Sequence, residues 1–301
     1  MTEIAGSMVG TAGWRLYFAI CKPRIVTLIC FTAVVGMLLS TDGLVPWQPF
    51  VFGIIGIGLA ASSAASINHV IDQRIDTLMD RTRSRPLATG QLSTAAALTW
   101  AFALAIISML VLALLVNPLV AALTFASLIG YAVIYTAFLK RTTHHNIELG
   151  GFAGAAPPLL GWVAITGQVE LPAVLLFLII SVWTPPHFWP LAIKRRDDYK
   201  RAGIPMLPVT RGVEVTKRWV LFYMFVLLGV SVLPYTTGMS GLLYLAGALG
   251  LGAGFLYHVV TLCRTDGDSH SMATFKFSIL YLYGLFLFLL ADHYLADVLM
   301  G

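Results

Sequence analysis

Residues 66–90, SINHVIDQRIDTLMDRTRSRPLATG, start in an apolar block and carry an asparagine and three aspartates ahead of three arginines and a proline. Asn68, Asp72, Asp76 and Asp80 recur at steps of four. On a helix each such step turns the chain by about 40°, so neighbouring members share a face while the outer two drift apart. Like charges this close destabilise a bare helix. A divalent cation, nearby arginines or plain water must offset them. Hard oxygen ligands suit Mg²⁺, which keeps several waters and is held jointly by one or two carboxylates and substrate phosphates. Arg81, Arg83 and Arg85 then supply charge-assisted donors matched to phosphate oxygens. The plainer alternative is an acidic helix end running into a basic membrane-flanking loop. That alternative does not need asparagine and aspartates at regular spacing.

Outward from this stretch the chain is strongly apolar. It has 301 residues, of which 58% are hydrophobic and only 11% charged, with a mean hydropathy of +0.84. A soluble domain carries about 25% charge. Apolar blocks of about 20 residues cross a bilayer, and nine are expected, roughly at 24–40, 50–70, 93–115, 118–138, 147–165, 172–192, 219–236, 241–262 and 274–291. The fold class is all-α: a polytopic membrane protein in one transmembrane domain. Met1 to Tyr17 is mixed and Gly-rich, unlike a cleavable signal. Cys21, Cys30 and Cys263 are too scattered for a disulfide framework or a zinc site.

Charge sets the orientation. With the N-terminus in the cytoplasm and nine spans, all 19 Lys and Arg residues fall on the cytoplasmic side or its rim. The opposite loops, 41–49, 116–118, 166–171 and 237–240, contain none, which is the positive-inside pattern. The net charge of +5 therefore calls for no nucleic-acid partner. The C-terminus, with Asp292 and Asp297, is expected outside. The chemically rich loops 71–92, 139–146, 193–218 and 263–273 share the cytoplasmic face. Loops 71–92 and 193–218 each mix acids, bases and a proline, which suggests two polar clusters facing each other across a central cavity.

Several groups stand out. Asp197, Asp198, Tyr199 and Lys200 form a dense cluster with Lys194 one turn before Asp198. It can hold a second cation, salt-bridge to the arginines of the first loop, or be a solvated rim. Asp197 and Asp198 diverge by about 100° on a helix and do not share a ligand position. Pro185-Pro186-His187-Phe188-Trp189-Pro190 removes backbone donors and is expected to kink its helix beside a cavity. His187 is a candidate for macrocycle contact or proton transfer, or else a histidine bonded to a helix carbonyl. His145, after Lys140 and Arg141, is a weaker candidate. Glu148 near a span end needs a basic partner or water. The glycines and prolines from Gly150 to Gly161 imply close approach by a neighbour or ligand.

These residues carry a family resemblance. Asn68-x₃-Asp72-x₃-Asp76-x₂-Met79-x-Arg81-Thr82-x₂-Arg85-Pro86-Leu87 resembles the first motif of the UbiA-type intramembrane prenyltransferases. Tyr135-Thr-x₂-Leu139-Lys140-Arg141, Asn146 to Trp162, Thr184-Pro-Pro-His187-Phe-Trp and Lys194 to Pro208 extend the likeness over about positions 20–280. The Pro-Pro-His-Phe-Trp and Asp-Asp-Tyr-x₃-Gly-Ile-Pro-Met-Leu-Pro runs resemble the haem-modifying branch.

The resemblance implies nine helices around a central cavity and a Mg²⁺-dependent transfer of the farnesyl group of farnesyl diphosphate to a vinyl group of haem b, with addition of water. It implies Asn68, Asp72 and Asp76 as metal ligands. Arg81, Arg85, Lys140 and Arg141 would bind diphosphate. In many relatives the second loop motif has acids four apart; here Lys194 and Asp198 take those places. Lys194, with Lys200, is then expected at the diphosphate, and Asp198 or Asp197 at the metal. His187, as a group that orients water, and Trp189, His145 and Tyr199 are the expected haem or cavity contacts. The implied setting is the bacterial cytoplasmic membrane, with the site facing the cytoplasm, membrane lipid around the bundle, and a downstream haem-modifying or oxidase-assembly protein as a candidate partner. A quinone-type aromatic acceptor, and a transporter or haem-handling scaffold, are the alternatives.

Overall fold

The computed structural model describes residues 13–300, with side chains through 295. The N-terminal residues read above as unlike a signal lie outside it up to residue 12, as does the side chain of Asp297. The described chain is all helix and loop. The elements are α1 (Gly13–Ile20), α2 (Pro23–Leu38), α3 (Trp47–Asp76), α4 (Thr94–Leu115), α5 (Pro118–Thr142), α6 (Asn146–Thr166), α7 (Leu171–Lys194), two short helices α8 (Arg196–Arg201) and α9 (Leu207–Thr210), then α10 (Val213–Thr236), α11 (Leu242–Arg264) and α12 (Ser271–Met300).

Eight of these helices are long and apolar enough to cross a membrane, and the count becomes nine if α1 and α2 form one span. The expected first span, roughly 24–40, falls on α2, which counts as a span together with α1. α2 has only 16 residues and joins α1 through a 51° bend. The cause is local: Pro23 cannot continue α1, and Lys22 before it adopts the left-handed region at φ 52°.

Side-chain caps and left-handed glycines set the other ends. The Ser93 hydroxyl accepts from the Ala96 N–H at the start of α4. Asn117 accepts from the Val120 N–H and donates across to the Val163 and Ala164 carbonyls, closing the α4–α5 hairpin onto α6. Gly167, at φ 69°, ends α6. α6 and α7 run on through Pro157, Pro158, Pro185, Pro186 and Pro190. α7 stays continuous through Pro185–Pro186, the expected position of a kink. In a packed bundle, neighbouring helices and local hydrogen bonds carry a proline that would end an isolated helix.

Small residues let the helices meet closely. A Cβ on Gly36 of α2 would lie 2.0 Å from the Pro158 carbonyl oxygen, and one on Gly161 of α6 would lie 2.0 Å from that of Ala33. α3 and α4 are tied by Ser63 donating to the Ala101 carbonyl and Ser108 to that of Gly56. The bundle has two chemically different ends. At one, Asp292 of α12 caps α11 by accepting from the Ser240 hydroxyl at 2.8 Å, the Tyr244 N–H at 3.0 Å and the Gly241 N–H. His293 and Tyr294 reach the Thr41 and Leu38 carbonyls at the same end. The opposite end gathers the ion pairs, among them Lys140–Asp72, Arg85–Asp76, Arg201–Asp80 and Lys194–Asp268.

Candidate active site

The last three turns of α3 build the core of the charged end. Asn68, Asp72 and Asp76 are buried on one face, while Asp80 lies beyond the helix and is exposed. Each buried member has a cation of its own. Lys22 donates to Asn68 Oδ1. Lys140 Nζ lies 2.5 Å from Asp72 Oδ2, with Arg141 3.8 Å from Oδ1. One Arg85 nitrogen donates to both oxygens of Asp76, at 3.0 and 2.8 Å. Asn68 Nδ2 also donates to Asp72 Oδ2 at 2.9 Å, linking the row. Ion pairs this sheltered are strong only when the remaining lone pairs are satisfied, and Asp72 Oδ1 has no hydrogen-bond partner.

The cation facing Asp72 is aimed by an unusual stretch of α5. Residues Gly130–Leu139 form π turns, whose wider i→i+5 bonding shifts every later side chain around the axis. Thr136 donates to the Tyr131 carbonyl five residues back and accepts from Asn68 Nδ2. Lys140 follows directly and meets Asp72.

The two polar loops do meet, through an arginine of the second and an aspartate of the first, the reverse of the salt bridge that is one of the alternatives above. Arg201 of the second loop bridges Asp80 of the first, at 2.7 Å, and Asp198, at 2.5 Å. Asp198 and Tyr199 are buried and Asp197 is exposed, so the two aspartates diverge as their adjacency requires. Burial pushes the Tyr199 phenol up, which keeps it protonated. Lys194 turns away from the first loop to Asp268, at 3.1 Å. Among the described residues, Arg81 and Lys200 are exposed cations without a carboxylate partner.

Behind the row lies an apolar cavity of about 230 Å³, with Lys22, Ala65 and Tyr131 toward the charged end and Ile57, Thr32 and Leu160 deeper. Gly154 also lines it, and a Cβ there would meet nothing within 4 Å. Gly150, Gly151 and Gly161 instead face Tyr135, Thr184 and Ala33 closely. The expected close approach by a neighbour is thus met at three positions, and Gly154 faces open space.

The remaining candidates lie apart from the row. His187 stacks between Trp183 and Phe275, at 4.0 and 4.7 Å between ring centres, and its Nδ1 meets the Ser278 hydroxyl at 2.6 Å. Trp183 lines the cavity, and His187 sits behind it in the stack. Trp189 is fully buried against Trp219 and Tyr223 with its indole N–H unpartnered. His145 is the basic partner of Glu148, at 2.8 Å, and Glu148 also accepts from the Tyr223 hydroxyl.

Among the described residues, no three His, Cys, Asp or Glu side chains converge as a ready-made metal site. The expected ligands Asp72 and Asp76 are held by their own cations, and Asp198 by Arg201 and Arg195. The donor set still fits Mg²⁺. It offers an amide oxygen and two carboxylates on adjacent turns, with one buried carboxylate oxygen unpartnered, and Mg²⁺ takes its other ligands from phosphate and water. Sequence reasoning missed Lys22, Thr136, Arg201 and Asp268. For Lys22 the available signal was a lysine immediately before the proline that opens a membrane helix.

Comparison with known proteins agrees with this architecture. The model of the UbiA prenyltransferase family matches residues 29–289. The chain is 60% identical over 294 residues to a protoheme IX farnesyltransferase of Thioalkalivibrio sulfidiphilus, covering 98% of this chain and 97% of that one. It is 56% identical over 299 residues to the protein of that name in Nitrosococcus oceani, covering 99% and 100%. Among solved structures, a digeranylgeranylglyceryl phosphate synthase superposes with a TM-score of 0.80 at 18% identity, over 94% of this chain and 99% of that chain. A UbiA homologue of Archaeoglobus fulgidus bound to DMAPP and Mg²⁺ superposes with a TM-score of 0.65 at 17% identity, over 91% and 98%. These structural likenesses speak for the fold alone.

Proposed function

The chain belongs to the UbiA prenyltransferase family, and from that premise we propose that it transfers the farnesyl group of farnesyl diphosphate to a vinyl group of haem b, with addition of water, to give haem O. One observation carries the site: a buried row of oxygen ligands, each facing a cation, at the mouth of an apolar cavity. An allylic diphosphate has the same division, a charged head and an apolar tail.

In this reading Asn68, Asp72 and Asp76 hold Mg²⁺, with Asp198 or Asp197 across the gap. The bound metal supplies charge neutralisation for the leaving diphosphate. Arg81, Arg85, Lys140, Arg141 and Lys200 bind the diphosphate oxygens and stabilise the negative charge that grows as the farnesyl C1–O bond breaks. Lys194, paired to Asp268, is a reserve cation for the same group. The electron-rich vinyl carbon attacks C1, and water captures the resulting cation and loses a proton. His187, stacked behind the cavity-lining Trp183, orients the acceptor or that water; Trp189, Tyr199 and His145 are the further candidates for haem contact. The charge segregation of the loops supports nine spans in a single domain, an N-terminus in the cytoplasm, and a site open to the cytoplasmic face of the bacterial inner membrane. A downstream haem-modifying or oxidase-assembly protein would receive the product.

The test is purified protein in nanodiscs with farnesyl diphosphate and reduced haem b, read by mass spectrometry with and without Mg²⁺. Haem O that forms only with the metal is the expected result. Turnover with a quinone precursor and none with haem, in a preparation that binds haem, would replace the acceptor. Consumption of neither substrate would favour a haem-handling role.

Cavity size offers a second check. Gly154→Phe fills open space, and it is expected to lower kcat/KM with farnesyl diphosphate by about tenfold or more while sparing the shorter geranyl diphosphate. Equal losses with both donors would place the tail elsewhere.

A further inference from the structure

We propose that Lys22 is a diphosphate-binding residue that is parked on Asn68 in the empty enzyme and exchanges to the substrate on loading; this rests on the prenyltransferase reading above.

The backbone points to it first. Lys22 is the only non-glycine residue with positive φ among those described, at φ 52° and ψ 61°. A lysine has no steric licence for that region, and Pro23 after it disfavours helical backbone at the preceding position. Such strain persists only where surrounding structure enforces it, and it concentrates at functional sites. Here it folds the chain so that the lysine turns into the bundle at the bend between α1 and α2.

Its side chain then sits at the boundary of the two halves of the site. Nζ donates to Asn68 Oδ1, the head of the oxygen row, and the same residue lines the charged end of the apolar cavity. A prenyl diphosphate with its tail in the cavity and its head among Arg85, Lys140 and Arg141 would cross at Lys22. The junction between tail and head is the bond that breaks. An ammonium group there, with three donors on a flexible stem, suits the oxygen that takes up charge.

The pairing with Asn68 explains how the group is kept ready. Asn68 Oδ1 serves the lysine in the empty enzyme and is the oxygen the row would offer to a metal. Both cannot use it fully at once. A metal held by Asn68 would free Lys22, and one held by Asp76 and Asp72 would likewise free Arg85 and Lys140, the cations now paired to them. Metal and diphosphate should accordingly bind cooperatively, each releasing partners that the other requires.

Calorimetry with farnesyl thiodiphosphate, an unreactive donor analogue, measures this directly. Lys22→Met is expected to weaken the analogue by about tenfold or more in the presence of Mg²⁺, with Lys22→Arg recovering most of the affinity and the metal's own affinity undiminished. Unchanged analogue affinity in a folded Lys22→Met protein would reduce Lys22 to a support for Asn68 and overturn the proposal. Should Lys22→Met not fold, Lys22→Arg together with protection of Lys22 from reductive methylation by inorganic diphosphate decides it: protection supports the exchange, and none overturns it. Failure of the wild-type protein to bind the analogue at all is a different result, and it would count against the prenyltransferase reading.

Discussion

Asp72→Ala is expected to lower farnesyl transfer by at least about 10³-fold, at the upper end of what one preorganised charge contributes to a transition state. Asp72 is the hub of the charged row. It accepts from Asn68 and Lys140, with Arg141 3.8 Å away, and its side chain is only 2% exposed. Removing it takes away a proposed metal ligand and also leaves Lys140 without its anion in a sheltered position. Stranding one partner of a buried pair costs about 3–5 kcal/mol, so lost activity could arise from lost structure. Asp72→Asn separates the two effects. It keeps the shape and a carbonyl oxygen for Lys140 while discarding the negative charge. The asparagine protein should melt near the wild type and still show nearly the full loss of transfer. Turnover within tenfold of wild type in Asp72→Asn, at saturating Mg²⁺, would remove Asp72 from the metal site.

Gly161→Leu should have a comparably large effect on folding. A Cβ at Gly161 would lie 2.0 Å from the Ala33 carbonyl oxygen, and one at Gly36 lies equally near that of Pro158. Both obstacles are backbone, so no side chain can rotate away. α2 and α6 would have to separate, opening the seam behind the cavity. Losses of more than about 4 kcal/mol belong to such overpacking, and little folded protein is expected in detergent. Gly36→Ala should fail similarly. Gly229→Ala on α10 is the control, because nothing lies within 4 Å of its Cβ, and helix propensity alone makes it neutral or slightly stabilising. Wild-type yield and melting temperature in Gly161→Leu would contradict the close crossing of these helices.

Much of this was legible in the chain. Eight of the nine expected spans appear as helices long enough to cross alone, because apolar length and loop charge are properties of local sequence. The i, i+4 spacing put Asn68, Asp72 and Asp76 on one helical face, and the structure buries all three. The divergence of Asp197 from Asp198 followed from adjacency alone. What escaped depends on tertiary context. The bend at Lys22 divides the first span, and nothing local to Lys22 announces Asn68 as its partner 46 residues away. Arg201 could not be assigned to Asp80 before the loops were docked. The π turns of Gly130–Leu139 have no composition of their own.

The cap that Asp292 places on α11 has a mechanical consequence. At that end, helices are joined by hydrogen bonds that no substrate competes for: Asp292 to the Ser240–Tyr244 corner, His293 to Thr41, Asn117 to Val163. At the other end the contacts are ion pairs, the ones that the proposed metal and diphosphate would compete for. On the proposed function the bundle should work like a pair of tongs, riveted at one end and parting at the other. Displacement on loading should then grow along each helix with distance from the rivet, and amide exchange should report it as a gradient running from Asp292 toward Asp76.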